Sequence, residues 1–266
     1  MIGLVSCMSR AGRAILEIRS QENFEAIEKS GISDVVTAGD HEAERIVTDW
    51  LVNYHSEDGI QAEEGTTRPS RSGKIWYPDP IDGTTNYSRG APFFGISVGR
   101  ADEAGIPDCG AIHFAAEGWS VWAVRGSNRG TQCDDLRISP TDRLVAPKGA
   151  DALRGALVGV GLTRGYEYLY EVLKAKTRNV VMLGSVTYEA LLVARGFWDA
   201  YVHTAATQFD VAAATVICRE AGCTVTSMHS DEVNLNEKKI PFMVTRSPRL
   251  TEELRRVIIE NRRVDS

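Results

Sequence analysis

Apolar positions along the first fifty residues recur at helical spacing. Leu4, Val5, Met8, Ala11, Ile15 and Ile18 fall on one face of a helix predicted over about Ile2 to Lys29. A second amphipathic stretch, His41 to His55, aligns Ala43, Ile46, Val47, Trp50, Leu51 and Tyr54. Between them Asp34-Val35-Val36-Thr37 reads as a short extended segment. Ile60 to Glu64 reads as a strand end and Gly65 to Lys74 as a polar loop. Ile75-Trp76-Tyr77 reads as a strand stopped by Pro78 and Pro80.

A β-rich middle follows over Phe93 to Arg100, Cys109 to Ala116 and Trp119 to Val124, punctuated by glycines and charges, which suits antiparallel strands. After about Pro140 the texture changes. Short apolar runs (Ala156 to Val160, Val180 to Leu183, Asp199 to Val202, Cys223 to Thr226, Phe242 to Thr245) alternate with helical stretches. Those stretches are about Arg164 to Lys176, Thr187 to Arg195, Val211 to Ala221 and Arg249 to Arg262. The expected organisation is an N-terminal α+β lobe, 1–145, joined to a C-terminal α/β lobe, 146–266.

Composition narrows the class. The 266 residues are 43% hydrophobic and 25% charged, ordinary for a folded globular chain and enough for a sizeable core. Net charge is -6 and no Lys/Arg run is long enough to track a nucleic-acid backbone. No apolar run approaches the roughly 20 residues that span a bilayer. Arg10, Arg13 and Arg19 interrupt the N-terminal apolar positions, unlike a secretory signal. Five cysteines without C-x-x-C spacing fit reduced, buried thiols in a cytoplasm better than a zinc ribbon or disulfide framework.

The chemistry-bearing stretch is Asp79-Pro80-Ile81-Asp82-Gly83-Thr84-Thr85-Asn86. Two carboxylates follow a strand, Pro80 stiffens the turn between them, and Gly83 lets backbone approach a ligand closely. The amides from Gly83 onward can open an anion-binding helix N-terminus. Glu63-Glu64 ends an earlier strand, and Asp210 opens an apolar helix. Gathered carboxylates repel one another unless a cation neutralises them, and clustered hard oxygens suit Mg²⁺, Mn²⁺ or Ca²⁺ rather than zinc. Each also has a plainer reading: Asp79 and Asp82 as turn formers, Asp210 and Asp40 as N-caps, Glu63 and Glu64 as a solvated strand end.

Trp76 to Tyr87, WYPDPIDGTTNY, resembles the signature of the inositol monophosphatase family, a lithium-sensitive, metal-dependent phosphatase superfamily that includes fructose-1,6-bisphosphatases. The resemblance extends along nearly the whole chain. Lys29 to Asp40 resembles the early segment with its lysine and terminal aspartate, and Ala62-Glu63-Glu64 the Gly-Glu-Glu motif except at its first position. Phe209-Asp210-Val211-Ala212-Ala213 with Arg219-Glu220-Ala221-Gly222 is similar to the C-terminal motif, with Phe in place of Trp. Gly184-Ser185 stands where the family has its substrate-side glycine.

The resemblance implies a layered αβαβα sandwich and a Mg²⁺-dependent phosphomonoesterase with two or three ions. It implies that Glu63, Asp79 and the Ile81 carbonyl hold one metal and that Asp79, Asp82 and Asp210 hold a second. Asp40 would support a weaker third. Thr84, Glu63 and Asp79 would be catalytic, the amides of Gly83 and Thr84 would bind phosphate, and Asp82, Gly184, Ser185, His203 and Asp210 would contact substrate. Lys29 would lie near the entrance. A small phosphate ester as the ligand, a homodimer and millimolar Li⁺ inhibition complete the expectation, with no nucleic-acid or membrane partner.

Hydrolysis by activated water without a phosphoenzyme is the expected route, because Asp79-x-x-Asp82-Gly-Thr is one residue longer than the Asp-x-Asp-x-Thr motif of aspartyl-phosphate enzymes. No P-loop occurs. The nearest alternatives are a nucleotide 3'-phosphatase, a fructose-bisphosphatase-type enzyme and a non-catalytic metal-binding relative. His203 stands where the family has a glutamate that contacts inositol hydroxyls, so a substrate other than inositol 1-phosphate is expected. Arg125 to Gly130 only partly matches a glycine-rich turn; Arg125 and Arg129 read as solvated or as contacts to a second acidic group.

Overall fold

The computed structural model describes residues 1–22, 24–31, 34–127, 132–134 and 149–261, and only the backbone of 28–31, 34, 35 and 132–134. Lys29 as a side chain, Cys133, Asn128, Arg129 and the expected lobe boundary at 145/146 therefore lie outside what is described.

The chain opens with α1 (Ile2–Arg19), a two-stranded ribbon of β1 (Ala26–Gly31) and β2 (Asp34–Thr37), and α2 (Ala38–Tyr54). α1 is shorter than its apolar pattern predicted: it stops at Arg19, and Ala26–Gly31 pairs with β2 instead of continuing the helix. Next come β3 (Gly59–Gln61), β4 (Thr67–Arg68), β5 (Lys74–Asp82), α3 (Thr84–Ser88), β6 (Gly95–Asp102), β7 (Pro107–Phe114), β8 (Trp119–Val124) and β9 (Gln132–Asp134). The second half comprises β10 (Leu157–Gly161), α4 (Glu167–Lys176), β11 (Asn179–Val181), α5 (Val186–Ala194) and β12 (Ala200–Ala206). It closes with α6 (Gln208–Glu220), β13 (Thr224–Thr226), β14 (Ile240–Thr245) and α7 (Pro248–Glu260).

Two sheets organise the layers. One has seven strands in the order β4-β3-β5-β6-β7-β8-β9, antiparallel except for β3 beside β5. The other has five, β11-β10-β12-β14-β13, with β10 parallel to both neighbours. α1 and α2 cover the outer face of the first sheet, α5 and α6 lie between the sheets, and α4 and α7 cover the outer face of the second. The result is an αβαβα sandwich. Three apolar clusters fill the spaces between layers.

Position in the sandwich explains the helix sequences. α7 is strongly amphipathic and presents Leu250, Leu254, Val257 and Ile258 inward. α5 and α6 are apolar almost all round, because sheets enclose them on both sides. α6 also sits unusually low on its sheet. A Cβ built on Gly99 would lie 2.4 Å from Ala212 Cβ and 2.5 Å from Ala213 N, and one on Gly110 would lie 2.5 Å from Ala213 Cα. Two bare glycines on adjacent strands thus form the seat of the helix that carries Asp210.

β5 corrects a second expectation, since it runs through both prolines to Asp82. Pro78 O accepts from Glu63 N (3.1 Å), so the same residue's ring nitrogen faces the β3 side. Pairing with β3 has already ended there, at Ile60 opposite Trp76, and no ladder bond is lost. The described cysteines (Cys7, Cys109, Cys218, Cys223) are free and buried, as their spacing suggested. Among the described residues no helix is long and apolar enough to cross a membrane.

Candidate metal centre

The centre begins with an irregularity in β5. Asp79 pairs with Ser97 and Asp82 with Gly95, so three steps on β5 match two on β6. In a regular strand, residues three apart face opposite sides. The extra residue, next to Pro80, removes that alternation and brings both carboxylates to one side. Ile81 N donates to Asp79 Oδ1 (3.0 Å) and closes the local turn.

Asp210 arrives from α6. It is not the N-cap but the third residue of the helix: Thr207 caps, and Asp210 Oδ2 accepts from Thr207 N (2.6 Å) and Thr207 Oγ1 (2.8 Å). Asp40 repeats the device at the start of α2, where Thr37 is the N-cap and Asp40 Oδ2 accepts from Thr37 N (2.8 Å) and Oγ1 (2.7 Å). One oxygen of each aspartate is spent on orientation, and Asp40 Oδ1 takes a 3.3 Å contact from Thr84 Oγ1.

One carboxylate oxygen from each of Asp79, Asp82 and Asp210 lies within 4.8 Å of the others. Glu63, anchored by its amide on Pro78 O, brings its carboxyl into hydrogen-bonding reach of Asp79. Thr84 Oγ1 donates to Ile81 O at 2.9 Å, and Gly83 caps the short α3 with φ of 92°, a conformation only glycine adopts without strain. The expected metal and catalytic residues are thus neighbours, with Asp40 joined through Thr84.

The electrostatics are those of a cation site. Burial pushes Asp79 well above the usual carboxylate range, and the charges of Glu63, Asp82 and Asp210 add to it. Asp82 rises to about 6 through burial and the charge of Asp210, restrained by donors from Thr187 and Ser185. Burial raises Asp210 despite its Thr207 bonds. Among the described residues no lysine or arginine pairs with Asp79, Asp82 or Asp210. Hard oxygens, mutual repulsion and no protein counter-charge fit a divalent hard cation.

Several residues that position this centre were not anticipated. Glu44, one turn after Asp40 on α2, accepts from Glu64 N (2.7 Å), Thr66 N (3.0 Å) and Thr66 Oγ1 (2.6 Å), and so fixes the Glu63-Glu64 turn. The start of α5 grips Asp82: Ser185 Oγ (2.7 Å), Val186 N (3.1 Å), Thr187 N (2.6 Å) and Thr187 Oγ1 all donate to it. Glu189 Oε1 accepts from the amides of Leu183 and Gly184 and shapes the turn before α5. Burial lifts its carboxyl to about 7, against the pull of those amides and of Tyr201. The i,i+4 spacing of Asp40 and Glu44 was the one readable signal.

A cavity of about 560 Å³ opens beside Asp82, with Gly184, Ser185 and His203 in its wall. Gly184 has φ of 81° and Asn86 Nδ2 ties the turn before it to α3 by donating to Leu183 O (2.8 Å). Arg125 is exposed on the turn after β8.

The model of the inositol monophosphatase family matches residues 3–263. A fructose-1,6-bisphosphatase/inositol-1-monophosphatase of Thermotoga maritima is 30% identical over 214 residues, 80% of this chain and 79% of the relative. The extragenic suppressor protein suhB of Bartonella henselae superposes with a TM-score of 0.86 at 22% identity, covering 98% of both chains. An IMPase/NADP phosphatase complexed with Mg²⁺ and phosphate superposes at 0.81 with 19% identity, covering 96% of this chain and 93% of its own. The chain belongs to the inositol monophosphatase family. It is a phosphoric monoester hydrolase, and its cofactor is Mg²⁺.

Proposed function

We propose that the chain hydrolyses a small polyol, sugar or nucleoside phosphate other than inositol 1-phosphate, by direct attack of water on phosphorus. The observation that carries this reading is the meeting of three carboxylates, two buried on β5 and one partly buried on α6, with no cationic partner among the described residues. Glu63, Asp79, the Ile81 carbonyl, Asp82 and Asp210 would hold Mg²⁺, with Asp40 behind Thr84. Bound there, Mg²⁺ supplies positive charge that neutralises phosphoryl oxygens and makes water more acidic.

The side chains do the rest. Thr84 Oγ1 lies within donor reach of Ile81 O (2.9 Å) and Asp40 Oδ1 (3.3 Å), and its lone pairs accept from an attacking water and set its direction. The Glu63 carboxylate, exposed beside Asp79, takes the water's proton. Asp82, locked by α5, keeps its place while charge develops, so little reorganisation accompanies the reaction. The amides of Gly83 and Thr84 face the phosphate, and the cavity beside Asp82 receives the alcohol part.

Phosphate release from a panel of esters, measured with EDTA-stripped protein before and after Mg²⁺ is added, tests this. Release that appears only with Mg²⁺, and that Asp82→Asn lowers by about a thousandfold, is expected. No release from any ester with Mg²⁺ present would overturn the reading.

A further inference from the structure

The wall of the cavity beside Asp82 carries one imidazole, that of His203 on β12, and its ring is fixed on both sides. Nδ1 accepts a hydrogen bond from Ala205 N at 3.2 Å, so this nitrogen carries no proton. The ring lies against the bare backbone of Gly161, its register partner on β10. A Cβ at that glycine would lie 1.9 Å from His203 Cδ2. With Nδ1 unprotonated, the neutral ring carries its hydrogen on Nε2. That N–H has no acceptor among the described residues. Burial also drives the imidazole down to about 4, which keeps it neutral at physiological pH.

The rest of the wall says what a ligand beside the imidazole meets. Asp82 and Glu189 are acidic and among the described residues no lysine or arginine lines the cavity, so a second phosphate or carboxylate on the alcohol would find no counter-charge there. Leu162 and Met182 give the wall an apolar side, and Met182 is half exposed at its edge. A donor beside an apolar face matches a flat heterocycle or carbonyl that offers a neutral acceptor.

We infer that His203 contacts the substrate through a permanent Nε2–H donor and that the preferred substrate is a phosphate monoester whose alcohol bears a neutral heterocycle, as in a nucleoside monophosphate. This rests on the phosphatase reading above and goes past it by naming the alcohol. A carboxylate at this position would reject such an acceptor; the imidazole rewards it.

The test compares kcat/KM for adenosine 5'-monophosphate and glycerol 2-phosphate in the Mg²⁺-loaded wild type, His203→Gln and His203→Glu. Gln keeps an N–H donor and Glu, of nearly the same size, offers only acceptors. The nucleotide is expected to be the better substrate of the wild type. His203→Glu should lose at least about tenfold in kcat/KM on the nucleotide, mainly through KM, and His203→Gln should stay within about threefold. An unchanged nucleotide-to-glycerol ester ratio in His203→Glu, or a wild-type preference for glycerol 2-phosphate, would overturn the inference. A second readout needs neither turnover nor variants. Long-range ¹H–¹⁵N spectra of metal-free, ¹⁵N-histidine-labelled protein should show the Nε2–H tautomer, shifted by adenosine and not by glycerol. An Nδ1–H tautomer, or no response to adenosine, would also overturn it. Loss of phosphatase activity alone would count against the phosphatase reading, with these spectra still deciding the role of His203.

Discussion

Asp79 stands where its charged form is strongly disfavoured. It is buried among three other carboxyls, and the Ile81 amide offsets part of that placement. Replacing it by asparagine keeps an oxygen for the Ile81 amide and removes the charge. In EDTA, Asp79→Asn should therefore melt several degrees higher than the wild type, as relief of a buried, repelled carboxyl implies. With Mg²⁺ present, its phosphate release should fall by about a thousandfold. Thermal melts and phosphate assays on the same preparation separate the two effects; a lower melting temperature in EDTA would show that Asp79 is not under electrostatic strain. Asp40 and Asp210 show the limit of reading single residues. Both were readable as helix-start aspartates, but a cap uses its own oxygen on the first turn. These two sit three residues inside, bond back to a threonine with one oxygen, and leave the other for the centre.

At the scale of elements, the close seat of α6 on β6 and β7 sets where Asp210 stands relative to β5. Gly99→Ala would push a methyl into the backbone of Ala212 and Ala213, where no flexible side chain can yield. A destabilisation of about 3 kcal/mol is expected, with weaker Mg²⁺ binding, measurable by urea denaturation and calorimetric titration. A neutral effect would mean that the helix can lift without cost. Much of this level was readable beforehand. Apart from β4, which falls in the expected polar loop, and β9, which no apolar pattern announced, the strands of both sheets and all four C-terminal helices lie within a few residues of where the apolar pattern placed them, because each buries one continuous face. The errors were those where tertiary partners outvote local pattern. β5 continues past Pro78 and Pro80 because its neighbour has already ended on that side. α1 stops short of the residues that pair as β1. The grip of α5 on Asp82 was invisible, since nothing local connects Thr187 to a strand a hundred residues earlier.

Across the whole molecule, the raised carboxyls couple stability to pH. Asp82 at about 6 and Glu189 at about 7 hold protons more tightly in the folded chain than at their ordinary values of 3.8 and 4.5. The folded state therefore binds more protons between those limits, and stability of the metal-free protein falls as pH rises from about 4 through 7. Mg²⁺ favours the charged carboxylates, so the stabilisation it gives should be larger at pH 8 than at pH 5. Denaturation midpoints at both pH values, in EDTA and in excess Mg²⁺, check the sign; a metal-free protein that gains stability between pH 5 and 8 would contradict it. The layered architecture and the carboxylate cluster of Asp79, Asp82 and Asp210 were legible because several motifs occur in order along the chain. The positioning contacts of Glu44, Thr187 and Glu189 were not, because ordinary polar residues acquire those roles only when layers stack.

The three facing carboxylates belong to segments that the chain reaches at very different times. Asp79 and Asp82 lie on the first sheet, and Asp210, with the helix start that clasps Asp82, comes from the second half. A divalent ion seated among them is also a tie between sandwich layers. Stripping it out takes away a structural cross-link together with the reagent, and a nascent chain cannot assemble the complete ion site until residues beyond Asp210 have emerged.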